Sequence, residues 1–298
     1  MESSMTARFW GVRGSVPSPG VSTVRYGGNT SCVSLHLPEG QVLVFDAGTG
    51  IRELGKTLAA GPEEIFIVLS HSHWDHIQGF PFFAPIYQPN RKIFMLPTFF
   101  GGTTICGMCQ KMKQAGDKAF MCPLLDQMDG AHFPVKSEHI PSQTKCITME
   151  EMHFLRSQGF SITRIAANHP GGSFGYRVEN DAKSFVYLTD NELDPPYEKT
   201  TDFDGFVEFC WKADVLIHDA QYVEPDMPHK HGWGHSLVSQ VCDLALKAEV
   251  RQLILYHHDP DRTDQELAWI QQDAQRRLEE KNPRLSCTVA FEGLSLAM

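Results

Sequence analysis

No uninterrupted apolar run in this 298-residue chain exceeds a handful of residues; Ile65–Leu69 and Leu253–Tyr256 are typical. A bilayer-spanning helix needs about 20 such residues, so the pattern points away from the membrane. The opening "MESSMTARFWGVRG" carries neither the basic start nor the apolar core of an export signal, and retention in the cytoplasm is the expectation. A basic excess is missing too: 26 Lys and Arg face 36 Asp and Glu, a formal charge of −10, which argues against a resident polyanion such as nucleic acid. Pro-, Ser- or charge-rich linkers, low-complexity tracts and fixed-period repeats are also lacking. One domain over 1–298 with an inserted lid at about 98–146 is therefore expected. Eight cysteines are present, but in a long chain without an export signal reduced thiols are expected rather than disulfides.

What is present is a succession of short strand-like runs and a few helices. "ARFWGV", "CVSLHL" and "QVLVFDAG" lead to a helix in "GIRELGKTLAA", then to the strand "EIFIVLS" and to "KIFMLP". After the irregular lid come "FSITRIAANH", "FGYRV" and "SFVYLTD", then "VLIHDAQY", the helix "HSLVSQVCDLALKAEV" and "QLILYHH". A last helix, "TDQELAWIQQDAQRRLEEK", opens with Thr263 and Glu266 in capping-box spacing, and "LSCTVAFEG" closes as a strand. Two strand-rich halves, each followed by helices, imply an α/β fold of two packed sheets with helices outside.

The chemistry concentrates in "HSHWDHIQG", residues 71–79. Behind a buried strand, His71 and His73 at i, i+2 point the same way, and a helix start after them swings Asp75 and His76 toward a neighbouring point. Imidazole and carboxylate are the donors that borderline divalent metals prefer, so two adjacent metal ions are the reading. Two metals need further ligands. Three more candidates stand where an apolar strand runs out: His169 after "ITRIAA", Asp190 after "FVYLT", and His257 or His258 after "QLILY". A lone histidine at a strand end is usually a hydrogen-bonded surface group; three such ends beside the cluster make a site.

"HSHWDH" resembles the HxHxDH signature of the metallo-β-lactamase superfamily, and the later stations follow in that family's order over nearly the whole chain. "HDAQY" and "GWGHS" are similar to motifs of the ribonuclease Z-like branch, and "WGVRGSVPSPG…RYGGNTSC" to a bacterial subgroup linked to cyclic-nucleotide phosphodiesterases. The resemblance implies a four-layer αββα sandwich. It implies that His71, His73 and His169 hold one metal, that Asp75, His76 and His257 hold the second (with His258 the rival for the last place), and that Asp190 bridges. "FDAGTG" would supply Asp46 to buttress ligand histidines. A hydroxide between the ions would be the nucleophile, with Asp75 orienting it or accepting its proton and His235 as candidate general acid. Otherwise His235 makes a structural hydrogen bond at a helix start. His218 and Asp219 would orient neighbours. Zinc is the expected metal, with manganese and iron as alternatives.

The sequence departs from tRNA-processing relatives in having no long basic arm. Its insertion carries Lys111, Lys113 and Lys118 among Met, Phe, Cys and Gly. Phe99, Phe100 and Phe133 would either stack on a base or close a satellite core. Cys106, Cys109 and Cys122, with His132 or Cys146 beyond, could hold an additional structural zinc. The leading expectation is hydrolysis of a small phosphodiester, 3′,5′-cyclic nucleotides first, without stable nucleic-acid binding. The loop from Ser18 to Ser31, with Arg25, would meet the substrate's other polar groups. Alternatives are a tRNA 3′ endonuclease, a thioester or lactam hydrolase, and an inactive sensor. A homodimer is a family expectation.

Overall fold

Strands that are apolar on both faces must be covered on both faces, and β3 (Val42–Phe45) shows how. Leu43 and Phe45 join one core while Val42 and Val44 join another, as the two-residue period of a strand dictates. The computed structural model describes residues 5–61, 63–96, 99–100, 103–104, 123–153, 155 and 159–298. In chain order come β1 (Thr6–Gly11), β2 (Cys32–His36), β3, α1 (Ile51–Thr57), β4 (Glu64–Val68), α2 (Trp74–Ile77) and β5 (Lys92–Leu96). The short pair β6 (Phe99–Phe100) and β7 (Thr103–Thr104), α3 (Pro123–Asp126) and β8 (Gln143–Cys146) follow. The second half runs β9 (Ser161–Ala167), β10 (Ser173–Glu179), β11 (Ser184–Leu188), α4 (Phe203–Cys210), β12 (Val215–Asp219), α5 (Val238–Lys247), β13 (Gln252–Tyr256), α6 (Asp264–Glu279), β14 (Ser286–Val289) and β15 (Ser295–Ala297).

Among the described residues the strands form a sheet ordered β15-β1-β2-β3-β4-β5-β8, a second ordered β14-β13-β12-β11-β10-β9, and the small β6–β7 pair. The two large sheets face each other across a core containing Phe9, Phe45, Tyr176, Phe185, Tyr187, Ile254 and Tyr256. The outer face of the first sheet is covered by α1 and the turns around Phe80, Phe83 and Ile86. That of the second is covered by α4, α5 and α6. Three cores between four layers make an αββα sandwich. α6 docks through Leu267, Ile270, Ala274 and Leu278, the helical stripe its sequence spells, and Thr263 and Glu266 form the expected capping box.

Within the stretch anticipated as a lid, the described parts are joined to the body. Leu124 and Met128 enter the outer core of the first sheet, and β8 extends that sheet beside β5 in parallel. Cys106, Cys109, Cys122, Lys111, Lys113 and Lys118 lie outside the described residues, as do the side chains of Phe99 and Phe100. No helix among the described residues is long and apolar enough to cross a membrane.

The topology sets the site. β3–β4 and β11–β12–β13 are parallel sets, and β9, antiparallel to β10, runs the same way as β11. Their carboxyl ends therefore emerge along one rim, where open α/β sheets gather their chemistry. The sheets are tied together there: Gly14 N donates to His258 O at 2.9 Å, and His258 N to Val12 O at 2.9 Å.

Candidate metal centre

Four of the strands that end at the rim are followed by donors. β4 is followed by His71 and His73, with α2 adding Asp75 and His76; β9 is followed by His169, β11 by Asp190 and β13 by His257. The seven fall into two groups. Ligand atoms of His71, His73, His169 and Asp190 lie within 4.8 Å of one another, and so do those of Asp75, His76, Asp190 and His257. Asp190 belongs to both: its Oδ2 faces His71 Nε2 at 3.6 Å and His169 Nε2 at 3.7 Å, while Oδ1 lies 3.2 Å from both His76 Nε2 and His257 Nε2. Sequence left His257 and His258 as rivals. The structure brings only His257 to the groups; His258 Nε2 donates away, to Ala290 O at 2.8 Å.

The outward-facing nitrogens explain why this cluster suits cations. His76 Nδ1 donates to Asp46 Oδ2 at 2.8 Å, His169 Nδ1 to Gly234 O at 2.9 Å, and His257 Nδ1 to Gln221 Oε1 at 2.9 Å. Ser70 Oγ gives its proton to Asp46 Oδ2 at 2.8 Å and is left to accept from His71 Nδ1 at 3.0 Å. With Nδ1 committed outward, four Nε2 atoms face inward, the orientation a metal requires. Burial disfavours charge on His76, but Asp190, Asp75 and Asp46 outweigh it and raise His76 well above its ordinary pKa. His71 Nε2 is buried with no hydrogen-bond partner, a cost that a bound cation would remove. Burial pulls His71 well below its ordinary pKa and His169 down to about 4, so both stand ready as neutral donors. Burial works against ionised Asp75 and Asp190, yet the facing histidines outweigh it and hold both carboxylates well below the usual range.

Backbone strain gathers at the same rim. Asp46, Asp190, His257 and Ser15 all have positive φ, near 60, 48, 59 and 63°, a region that side-chain-bearing residues seldom occupy. Ser15 N donates to Asp75 Oδ2 at 2.7 Å, which aims that carboxylate. Sequence reasoning missed Ser15 and Gln221. It also missed Glu192, a buried carboxylate that accepts from the backbone N–H groups of Gly232 and Gly234, both at 2.8 Å. Gly234 has φ near 91°, and a Cβ there would come within 2.2 Å of His169 Nδ1, so only glycine fits.

His235 lies over the centre, with ring centroids 5.0 Å from His257 and 5.3 Å from His169. Its Nδ1 is 2.6 Å from Asp219 Oδ2. Burial disfavours its charged form, but Asp219 outweighs that and raises it to about 9. Asp219 thus orients His235, and His218 donates from Nδ1 to the Asp219 carbonyl at 2.6 Å. Other anticipated residues sit elsewhere. Phe133 is half-buried, edge-on to Phe82 at 5.4 Å and packed on the outer core. Arg25 lies over the Tyr26 ring at 5.2 Å, and Thr23 and Asn29 bond within the protein, to Ser18 O and Glu292. His132 pairs with Asp129 at the surface, and Cys146 is a free thiol on β8.

Seven convergent His and Asp donors at the rim of an αββα sandwich make a dinuclear metal site, and the family and relatives that the chain matches make it a metal-dependent hydrolase. The family model described as "Beta-lactamase superfamily domain" matches residues 42–258. Ribonuclease Z from Bacillus cereus (strain B4264) is 25% identical over 294 residues, covering 84% of this chain and 87% of that protein. The metallo-beta-lactamase fold protein YhfI from Bacillus subtilis superposes with a TM-score of 0.64 at 17% identity, over the full length of both chains. Unliganded yeast PDE1 superposes with a TM-score of 0.59 at 13% identity, over 99% of this chain and 100% of that one. The chain belongs to the metallo-β-lactamase superfamily, in its ribonuclease Z-like branch.

Proposed function

We propose that this hydrolase is a dinuclear phosphodiesterase acting on small phosphodiesters, 3′,5′-cyclic AMP or GMP first, and that it uses zinc. The observation that carries the reading is Asp190 presenting one oxygen to each of two donor groups, with the Asp219–His235 pair lying against both. His71, His73 and His169 would hold one ion, Asp75, His76 and His257 the other, and Asp190 would touch both. Two cations so placed supply Lewis acidity to a phosphoryl oxygen and make water acidic enough to ionise at neutral pH. The chain's own residues do the rest. Asp75, held by Ser15 N, is placed to orient the attacking water or take its proton. A departing alkoxide needs a proton, and with Nδ1 committed to Asp219, His235 would deliver it from Nε2.

The formal charge of −10 supports a small substrate over a polyanion, and the structural likeness to yeast PDE1 agrees with a phosphodiester. The relatives named ribonuclease Z and tRNase Z favour a second reading, cleavage of precursor tRNA. Side-by-side assays of cyclic AMP, cyclic GMP and precursor tRNA at two ionic strengths separate them. Cyclic-nucleotide hydrolysis with little salt dependence is expected; salt-sensitive tRNA cleavage with inert cyclic nucleotides would overturn the proposal.

A further inference from the structure

Among the described residues, the seven-donor cluster reaches solvent at His73. His73 is the exposed member of its otherwise buried group, and its Nδ1 lies 3.1 Å from His169 Nε2. A tryptophan is mounted beside each of these histidines. Trp74 follows His73 directly and is 80% exposed. Trp233 precedes Gly234, whose carbonyl accepts from His169, and is 61% exposed. A single exposed aromatic is ordinary, but two large exposed rings carried on the backbone that flanks one exposed donor and the buried histidine it touches are not.

Both rings stand on fixed backbone. Trp74 opens α2, where His76 N donates to His73 O at 3.0 Å and Ala47 N to His76 O at 2.7 Å. Trp233 is a one-residue spur between Gly232 and Gly234, and the buried Glu192 carboxylate holds the N–H on either side of it. A buried carboxylate therefore holds in place a segment whose one large side chain is left in water. Aromatic rings on rigid backbone lose little entropy when a ligand covers them.

We infer that Trp74 and Trp233 grip the flat, unsaturated base of a phosphate ester whose phosphate reaches the donor cluster. The inference rests on the phosphoester reading above and adds the part of the substrate that reading leaves unassigned. Stacking exploits the π-face that every base has, so purines and pyrimidines are both accepted and the sugar-phosphate alone is bound weakly.

The test is calorimetric titration of the zinc-loaded full chain with adenosine 5′-monophosphate and with ribose 5-phosphate, which differ only in the base. Wild type should prefer the nucleotide by about tenfold or more. The W74A/W233A double variant should lose most of that preference while binding ribose 5-phosphate as before, and W74F/W233F should keep much of it. Melting should hardly change, since both side chains are exposed. No preference in wild type, a preference that survives in the double variant, or equal weakening of both ligands would overturn the inference. If cyclic nucleotides prove inert while the base preference still depends on the two tryptophans, the phosphodiesterase reading falls and this one stands. Cyclic-nucleotide hydrolysis with KM untouched by the substitutions gives the reverse.

Discussion

Nδ1 of His235 stands 2.6 Å from Oδ2 of Asp219, and Asp219 is itself fixed by Gln221 N, which donates to its Oδ1 at 3.0 Å. The imidazole is thus held by a carboxylate that cannot swing. If His235 protonates the leaving group, His235→Ala should lower turnover by roughly 100-fold or more with metal content unchanged. The loss should shrink on an activated aryl phosphodiester, whose leaving group departs without a proton. Equal losses on both substrates would assign His235 a structural role.

Asp190 faces both donor groups, one oxygen to each, so Asp190→Ala should loosen both ions and not one. Elemental analysis of the purified variant should show well under half the wild-type metal, with activity falling in parallel. Undiminished occupancy would remove Asp190 from the shared position.

Gly14 is close enough to His257 that an added Cβ would lie 2.5 Å from the ring and 2.7 Å from Gln221 Oε1. Gly14→Ala should push His257 out of place, lowering occupancy of the group formed by Asp75, His76 and His257. The other group should keep its metal, giving about one ion per chain. Wild-type occupancy and activity in this variant would show that the rim yields more easily than its packing implies.

The capping box of α6 gives a prediction independent of the metals. Backbone and side-chain hydrogen bonds from Thr263 hold the Glu266 carboxyl below its ordinary pKa. A carboxylate depressed on folding adds stability above its unfolded pKa and loses it as pH falls through the folded value. Thr263→Ala should therefore cost about 1 kcal/mol near neutral pH. The gap between the melting curves of wild type and variant should narrow below about pH 4. A gap that is constant with pH would separate the helix cap from the Glu266 charge.

The sequence spelled out most of the framework locally. Strand and helix runs such as "EIFIVLS" and "TDQELAWIQQDAQRRLEEK" reappear as β4 and α6 because buried periodicity is a property of neighbouring residues. α4 was not anticipated: it is only eight residues long, is rich in Phe and follows a polar loop, and it is helical because Asp202 caps it and Phe206 and Cys210 bury against the second sheet. β15, three residues at a sheet edge, is too short for its alternation to register.

At the site, residue type and position at a strand end were enough to nominate all seven donors, because metals select imidazole and carboxylate and rigid strand ends present them. Which ring nitrogen faces inward was not legible. That depends on Asp46, Ser70, Gln221 and Gly234, and on contacts such as His257 with Gln221, 36 residues apart, and His169 with Gly234, 65 apart. The choice of His257 over His258 was likewise made by the positive φ at 257, which turns one side chain into the rim and leaves its neighbour bonded to Ala290. Sequence by itself determined which elements form and which donors they carry, since both follow from local pattern and residue chemistry. The tertiary structure decided ring orientation and the exposed placement of Trp74 and Trp233, because these are fixed by hydrogen bonds and burial between segments that meet only when the two sheets close.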